Sequence, residues 1–243
     1  RSFINTHPEE TLTELARWST DRNYHVRRLV SEGTRPSLPW SGRISIDVTT
    51  PLAFLETLHA DPTRYVTRSV ANHLNDIAKA QPEIVLDALK RWKQLEKQHS
   101  SELQWITKHA LRTLVKRGHA QALQLLGFSA IPKIEVIEFA INTPKIQPGD
   151  AIEFSFNITA QRNESLVIDY VVEFVKANGT LSPKVHKLKQ LSLKKGESAV
   201  VRKRHVLRAN ATTYTLYPGT HYVTLQINGR PFGRLSFELL PGI

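Results

Sequence analysis

His25-Val26-Arg27-Arg28-Leu29-Val30 returns as Tyr65-Val66-Thr67-Arg68-Ser69-Val70 and again as Trp105-Ile106-Thr107-Lys108-His109-Ala110, 40 residues on each time. Around these segments, from about Pro8 to Phe128, apolar residues recur at helical spacing, as in Leu12, Leu15, Ala16 and Ile84, Val85, Ala88, Leu89. Asp-Pro and Gln-Pro pairs interrupt them with helix-start signals. A helix-pair repeat of about 40 residues is the mark of a HEAT-like α-solenoid, in which each unit buries its apolar face only by stacking on the next. The chain holds about three such units. Stacking brings equivalent positions into register, so Arg28, Arg68 and Lys108 are expected in a row down one face, where a stripe of cations could track a phosphate backbone.

From Ile134 onward the period changes to alternation, in Ile134-Val136-Glu138, Ile152-Phe154-Phe156-Ile158 and Tyr222-Thr224-Gln226. Pro148-Gly149-Asp150 and Asn228-Gly229 punctuate the runs with turn chemistry. Seven or eight short strands suit a β-sandwich better than a small barrel. The expected organisation is therefore α then β: residues 1–130 a helical-repeat domain and residues 131–243 a β-sandwich.

The formal net charge is +11 with a pI near 9.9, which fits a polyanionic partner better than a small neutral substrate. Both halves are basic, net +5 up to residue 130 and net +6 beyond it. In the β half Lys184, Lys187, Lys189, Lys194, Lys195, Arg202, Lys203, Arg204 and Arg208 face a single acid, Glu197. Such a cluster gives affinity for phosphates without sequence readout, although lysines also guard sheet edges against unwanted pairing. No cysteine is present, which removes disulfides, Cys-ligated zinc and thiol nucleophiles. The histidines show no metal-ligand spacing, and no phosphate-binding Gly-rich loop or Gly-x-Ser-x-Gly elbow occurs, so no metal and no cofactor are implied. No apolar run approaches the roughly 20 residues that span a bilayer, and no secretion signal is visible. A cytoplasmic protein with no membrane partner is expected. The chain starts at Arg1 and contains no methionine, so a fragment of a longer protein is expected.

The segment from His25 to Trp40, in which Ser31-Glu32-Gly33 leads through Arg35-Pro36 to Leu38-Pro39-Trp40, resembles AlkC-type DNA alkylation-repair glycosylases, a bacterial HEAT-like repeat family related to AlkD. Arg68-Ser69-Val70-Ala71-Asn72-His73-Leu74-Asn75-Asp76-Ile77 is similar to the same family, and the likeness covers most of the helical half. Members commonly carry a C-terminal immunoglobulin-like domain, which agrees with the β half as read from its alternation. The resemblance implies a base-excision repair enzyme, a monofunctional DNA glycosylase whose partner is double-stranded DNA bearing alkylated bases. It would release cationic bases such as 3-methyladenine and 3-methylcytosine without flipping them into a deep pocket, and work as a monomer. It also implies further repeats ahead of Arg1.

The chemistry suits the residue types. A ring-alkylated base is already a cationic leaving group, so the remaining tasks are to stabilise an oxocarbenium-like sugar and position a water, work for carboxylates near C1′. Glu32 and Asp76 are the catalytic candidates, each an acid beside the basic row of its repeat. Trp40 joins them: its ring face against the cationic base or the sugar would contribute about 0.5 to 2 kcal/mol, with Pro36 and Pro39 holding its loop. Arg27, Arg28, Arg35, Arg68, Asn72, His73 and Lys108 in the helical half, and Lys194, Lys195, Arg202 and Arg204 in the β half, are the expected DNA contacts. The basic β segment would approach the duplex opposite the solenoid, as a clamp. Plain structural roles compete: Glu32 as ion-pair partner of Arg28 four residues earlier, Asp76 as a helix-end cap, Trp40 as filler between repeats, and Asn72 and His73 as structural residues ahead of any reach to a phosphate. The rival for the whole chain is a non-catalytic HEAT-like scaffold that binds nucleic acid or protein.

Overall fold

The computed structural model describes residues 1–209, 211–212 and 214–242, and its contacts divide the chain into two compact units, Arg1–Val115 and Lys116–Ile243. The first unit is helical. After a short α1 (Ser2–Thr6) come α2 (Pro8–Trp18), α3 (Tyr24–Gly33), α4 (Leu52–Leu58), α5 (Arg64–Ile77), α6 (Pro82–Leu95) and α7 (Ser100–Ala110), and α8 (Arg112–Lys116) runs into the boundary. Pro8 and Pro82 occupy first-turn positions with Glu9, Glu10 and Glu83 near them, where a missing N–H costs nothing and negative charge meets the positive helix end. Asn23 caps α3 by accepting from His25 N at 2.9 Å. Ahead of α5, Asp61 Oδ1 accepts from the Thr63 backbone N–H and hydroxyl.

Helices α3, α5 and α7 carry the segments that are 40 residues apart, and α5 packs on both α3 and α7. Val66, Val70, Leu74 and Ile77 of α5 are fully buried at helical spacing. Between α3 and α4 the chain is irregular. Its first part is tied to α1: Arg1 donates to the carbonyls of Arg35 (2.8 Å) and Gly42 (2.7 Å), and Asn5 bonds Arg43 O and Ser45 N. Among the described residues no helix is long and apolar enough to cross a membrane.

The second unit is built from β1 (Ile134–Ile141), β2 (Lys145–Ile146), β3 (Ala151–Ala160), β4 (Glu164–Val175), β5 (Leu181–Leu193), β6 (Ser198–Val206), β7 (Gly219–Ile227) and β8 (Arg230–Leu239). They form two sheets, ordered β1-β3-β6 and β2-β8-β7-β4-β5. All neighbours are antiparallel except β2 and β8. One core joins them: Ile152, Phe154, Phe156 and Ile158 of β3 with Leu166, Ile168, Tyr170 and Val172 of β4 and Val223, Leu225 and Ile227 of β7. This is a sandwich, because two separate sheets each contribute an inward face to a shared core.

The change of period near residue 130 marks where strands begin, whereas the compact unit begins earlier, at Lys116. The short α9 (Ala120–Leu125) and its flanks belong with the sheets. Gln226 Nε2 donates to Lys116 O, Asn228 Nδ2 to Ser129 O and Arg230 Nε to Ala130 O. Gly118 lies against Gly229 so closely that a Cβ on Gly229 would sit 2.0 Å from Gly118 Cα. Asn228 and Gly229 both have positive φ, 47° and 75°, which is the turn their sequence predicts between β7 and β8.

Candidate active site on the helical unit

Helices α3 and α5 run side by side, and residues about 40 apart in sequence meet across them. Glu32, in the last turn of α3, receives Arg35 Nη1 at Oε1 (2.7 Å) and the Ser69 hydroxyl of α5 at Oε2 (2.6 Å). Arg28 Nη2 stands 3.5 Å from Oε2, so the pairing one helical turn back exists and is the weaker contact. Arg35 then reaches across to α5, where its Nε and Nη2 donate to Asp76 Oδ2 at 3.0 and 2.8 Å. Lys79 Nζ occupies Asp76 Oδ1 at 2.8 Å. One guanidinium thus bridges both candidate carboxylates.

Their access differs. The Glu32 side chain keeps 18% of its surface exposed against 5% for Asp76 and 11% for Arg35. Burial opposes ionisation of Glu32, but the hydrogen bonds from Ser69 and Arg35 and the charges of Arg35 and Arg28 outweigh it and hold its pKa below the ordinary value. The group is a carboxylate at neutral pH, fixed in one orientation and open on one side. That suits it to stabilise a developing cation or to accept a proton from water. Beneath it lies His73, wholly buried, with Nδ1 3.1 Å from Ser31 O and Nε2 without a partner. Burial pushes its pKa down to about 4. It is a neutral packing element beside the carboxylates, not the phosphate contact expected.

Two arginines expected at DNA are engaged internally. Arg35 spends Nε and both terminal nitrogens on the two carboxylates. Arg27 forms a two-point pair with the buried Asp61 and also caps Asp21 O and Arg22 O. Arg28 lies 4.2 Å over the Tyr65 ring and donates to Tyr65 O. Arg68 and Lys108 are exposed. Asn72 Oδ1 accepts from Arg112 Nη2 (3.1 Å) and meets His109 Nε2 (2.9 Å), which turns it toward α7. Trp40 is 74% exposed on the irregular segment after α3. Among the described residues no hydrogen bond, ion pair or ring contact joins it to Glu32 or Asp76.

Reading from the sequence missed Ser69, which holds Glu32, and Arg112, which stands behind Asn72. The signal for Arg112 was present: Glu32, Asn72 and Arg112 are successive positions at the same 40-residue step. Ser69 has no such mark. On the second unit, Lys194 and Lys195 are exposed on the turn after β5, and Arg202 and Arg204 point outward from β6. Arg204 pairs with Glu153 at 3.3 Å. Lys203 and His205 alternate to the inner side, so the basic stretch does not form one surface. Among the described residues no three His, Asp or Glu side chains gather as metal ligands would.

A family model described as the C-terminal Ig-like domain of the uncharacterised protein YhaZ matches residues 135–241. YhaZ of Bacillus subtilis (strain 168) is 36% identical over 242 residues, 98% of this chain and 66% of that protein. The solved structure of Pseudomonas fluorescens alkylpurine DNA glycosylase AlkC, bound to DNA containing an abasic site analog, superposes with a TM-score of 0.92. Its identity is 39%, over 99% of this chain and 67% of that one. The chain thus spans about two thirds of the length of the relatives it matches.

Proposed function

This chain belongs to the AlkC family, and from that premise we propose that it is the catalytic and DNA-gripping part of a monofunctional glycosylase that excises cationic alkylated bases from duplex DNA. The observation that carries the reading is Glu32: an ionised, partly exposed carboxylate, locked by Ser69 and Arg35, in a chain similar along its whole length to a DNA glycosylase.

In the proposed reaction the bond from C1′ to the ring nitrogen breaks, and its electron pair leaves with the base, cancelling the positive charge of the alkylated ring. Glu32 stabilises the oxocarbenium-like sugar that remains and accepts a proton from the water that adds to C1′, leaving an abasic site. Asp76, with both oxygens occupied, acts by fixing Arg35 and through it Glu32. Trp40 is proposed to lie against the lesion through its ring face. The base need not enter a deep pocket, as the family resemblance implies.

We further read the helical unit as a HEAT-like solenoid. Its support is the packing of α3, α5 and α7 at a 40-residue step, with Arg28, Arg68 and Lys108 at equivalent positions. Arg68 and Lys108 are the proposed phosphate contacts of this unit, and Lys194, Lys195, Arg202 and Arg204 those of the Ig-like unit. The protein is taken to act as a monomer, without a cofactor, in the cytoplasm.

The test is to incubate the full chain with methylated duplex DNA and chromatograph the released bases. Free 3-methyladenine or 3-methylcytosine is expected, with release slowed by about 100-fold or more in Glu32→Gln, the scale on which loss of a transition-state contact is felt. Salt-sensitive DNA binding with no released base would replace the enzyme by a scaffold.

A further inference from the structure

The sandwich carries a second feature that the glycosylase reading leaves unused. Strands β5 and β6 each end their sheet, and between them opens a cleft of about 910 Å³, at the upper end of the range for small-molecule sites of roughly 300 to 1,000 Å³. Its lining includes Lys176, Lys184 and Arg208, the rings of Phe174, Tyr214 and Tyr217, and His186 with His205. Among the described residues no aspartate or glutamate lines it, and none is ion-paired with any of the three cations. Lys184 Nζ stands 5.3 Å from the centroid of the Tyr214 ring, which in turn stacks on Phe174 at 6.2 Å.

The inner side of the cleft is polar where a sandwich core is ordinarily apolar. Tyr170 OH meets His205 Nδ1 at 2.7 Å, and the His186 ring stacks on Tyr170 at 5.1 Å and meets His205 edge-on at 4.6 Å. His186 Nε2 is buried with no hydrogen-bond partner, an uncompensated polar group in the wall behind the cleft. Burial pushes both histidines down to about 4, helped at His186 by His205 and Lys184 and at His205 by Lys203 and Lys184. They are therefore neutral at pH 7 and add no charge to the cleft wall. Inward lysines on edge strands also discourage strand addition, but that role needs neither an acid-free cleft nor an aromatic wall.

We propose that this cleft binds a nucleotide through its phosphomonoester, with the phosphate held by Lys184, Lys176 and Arg208 and the base laid against the Tyr214 and Tyr217 rings. Cations without a counter-charge call for an anion, and the half-buried Tyr214 and Tyr217 rings beside them call for a flat ring, the pairing that single nucleotides offer. Two sources present this chemistry, a free nucleoside monophosphate and the 5′-phosphorylated end of a DNA strand. The inference concerns a site remote in sequence from Glu32 and Asp76 and does not rest on the glycosylase reading.

Isothermal titration of the full chain with dAMP, deoxyadenosine and inorganic phosphate tests it. Saturable dAMP binding is expected, at least about tenfold tighter than either fragment alone. Lys184→Glu combined with Arg208→Glu should weaken it by about tenfold or more, with thermal unfolding unchanged because both side chains are exposed. Tyr214→Ala should weaken dAMP but not phosphate. The proposal is overturned if dAMP binds no tighter than phosphate, or binds the double variant as well as the parent. A single-stranded oligonucleotide that displaces dAMP only when 5′-phosphorylated assigns the strand end. Displacement by neither form assigns the free nucleotide, and equal displacement by both overturns recognition of the monoester.

Discussion

Arg35 decides how the carboxylates at the candidate site behave, because all three of its nitrogen positions are committed to Glu32 and Asp76. Removing it in Arg35→Ala leaves two mostly buried carboxylates without the guanidinium they share, a change that costs about 3 kcal/mol or more when a buried pair loses one partner. Urea unfolding should show that loss, and Arg35→Lys should restore charge but not the two-point grip on Asp76. His73 gives a pH signature of its own. Its folded value of about 4 lies below the ordinary 6.5, so the unfolded chain binds the proton more readily. The stability this contributes is complete above 6.5 and is lost as the pH falls toward about 4, about 3 kcal/mol for a wholly buried group. Unfolding free energies at pH 7 and pH 5 should therefore differ less in His73→Gln than in the parent; an unchanged difference would remove His73 from the acid response. The sequence made Glu32, Asp76 and Arg35 visible one at a time. It did not reveal their bridge, since a contact across 41 residues depends on the lateral register of α3 on α5, which periodicity along one helix does not encode. The same gap explains Arg27, whose partner Asp61 lies in the turn before α5.

At the scale of elements, what was legible is what repeats. The 40-residue step links α3, α5 and α7, of which α5 packs on the other two, and the alternation of Ile152 to Ile158 predicted β3 with its inward face. Less legible was the allegiance of residues 116–130, which are helical in pattern yet pack with strands. That join depends on Gly118 and Gly229, whose backbones approach within the space a single methyl would need. Gly229→Ala adds that methyl at a positive φ and should destabilise the second unit by at least about 2 kcal/mol. Because the strain falls on one unit, thermal unfolding should lower the transition of the β unit, while that of the helical unit stays near its parent value. At the other end of the chain, the Asn23 side chain is the sole side-chain cap on α3. Asn23→Ala should cost about 1 kcal/mol and loosen the helix that carries Glu32, seen as faster amide exchange in its first turn. The basic stretch of β6 shows why a charge count along a strand overstates a surface: alternate residues face opposite sides, so Arg202 and Arg204 point outward while Lys203 and His205 do not.

For the whole molecule the relevant quantity is how its excess of positive charge is divided, net +3 in Arg1–Val115 and net +8 in Lys116–Ile243. A duplex gripped by one unit only would feel the other as a diffuse field, screened within about 10 Å at ordinary salt. A duplex gripped by both would release counterions at each. These cases separate in the salt dependence of binding, where each phosphate neutralised contributes about 0.9 to the slope of log K against log salt. Arg68→Gln with Lys108→Gln should lower the slope by up to about 2, and neutralising Lys194, Lys195, Arg202 and Arg204 together by up to about 4. Arg204 already shares its charge with Glu153, so the second figure should fall short of its limit. A loss in both variants, approximately additive, would mean that both units touch the same DNA. A slope unchanged by the second set would confine phosphate contact to the helical unit and sink the clamp, because outward arginines that never meet a phosphate release no ions. Either result leaves base release by Glu32 as a separate question, since neutralising backbone contacts changes how tightly the lesion is held and not the charge presented to C1′.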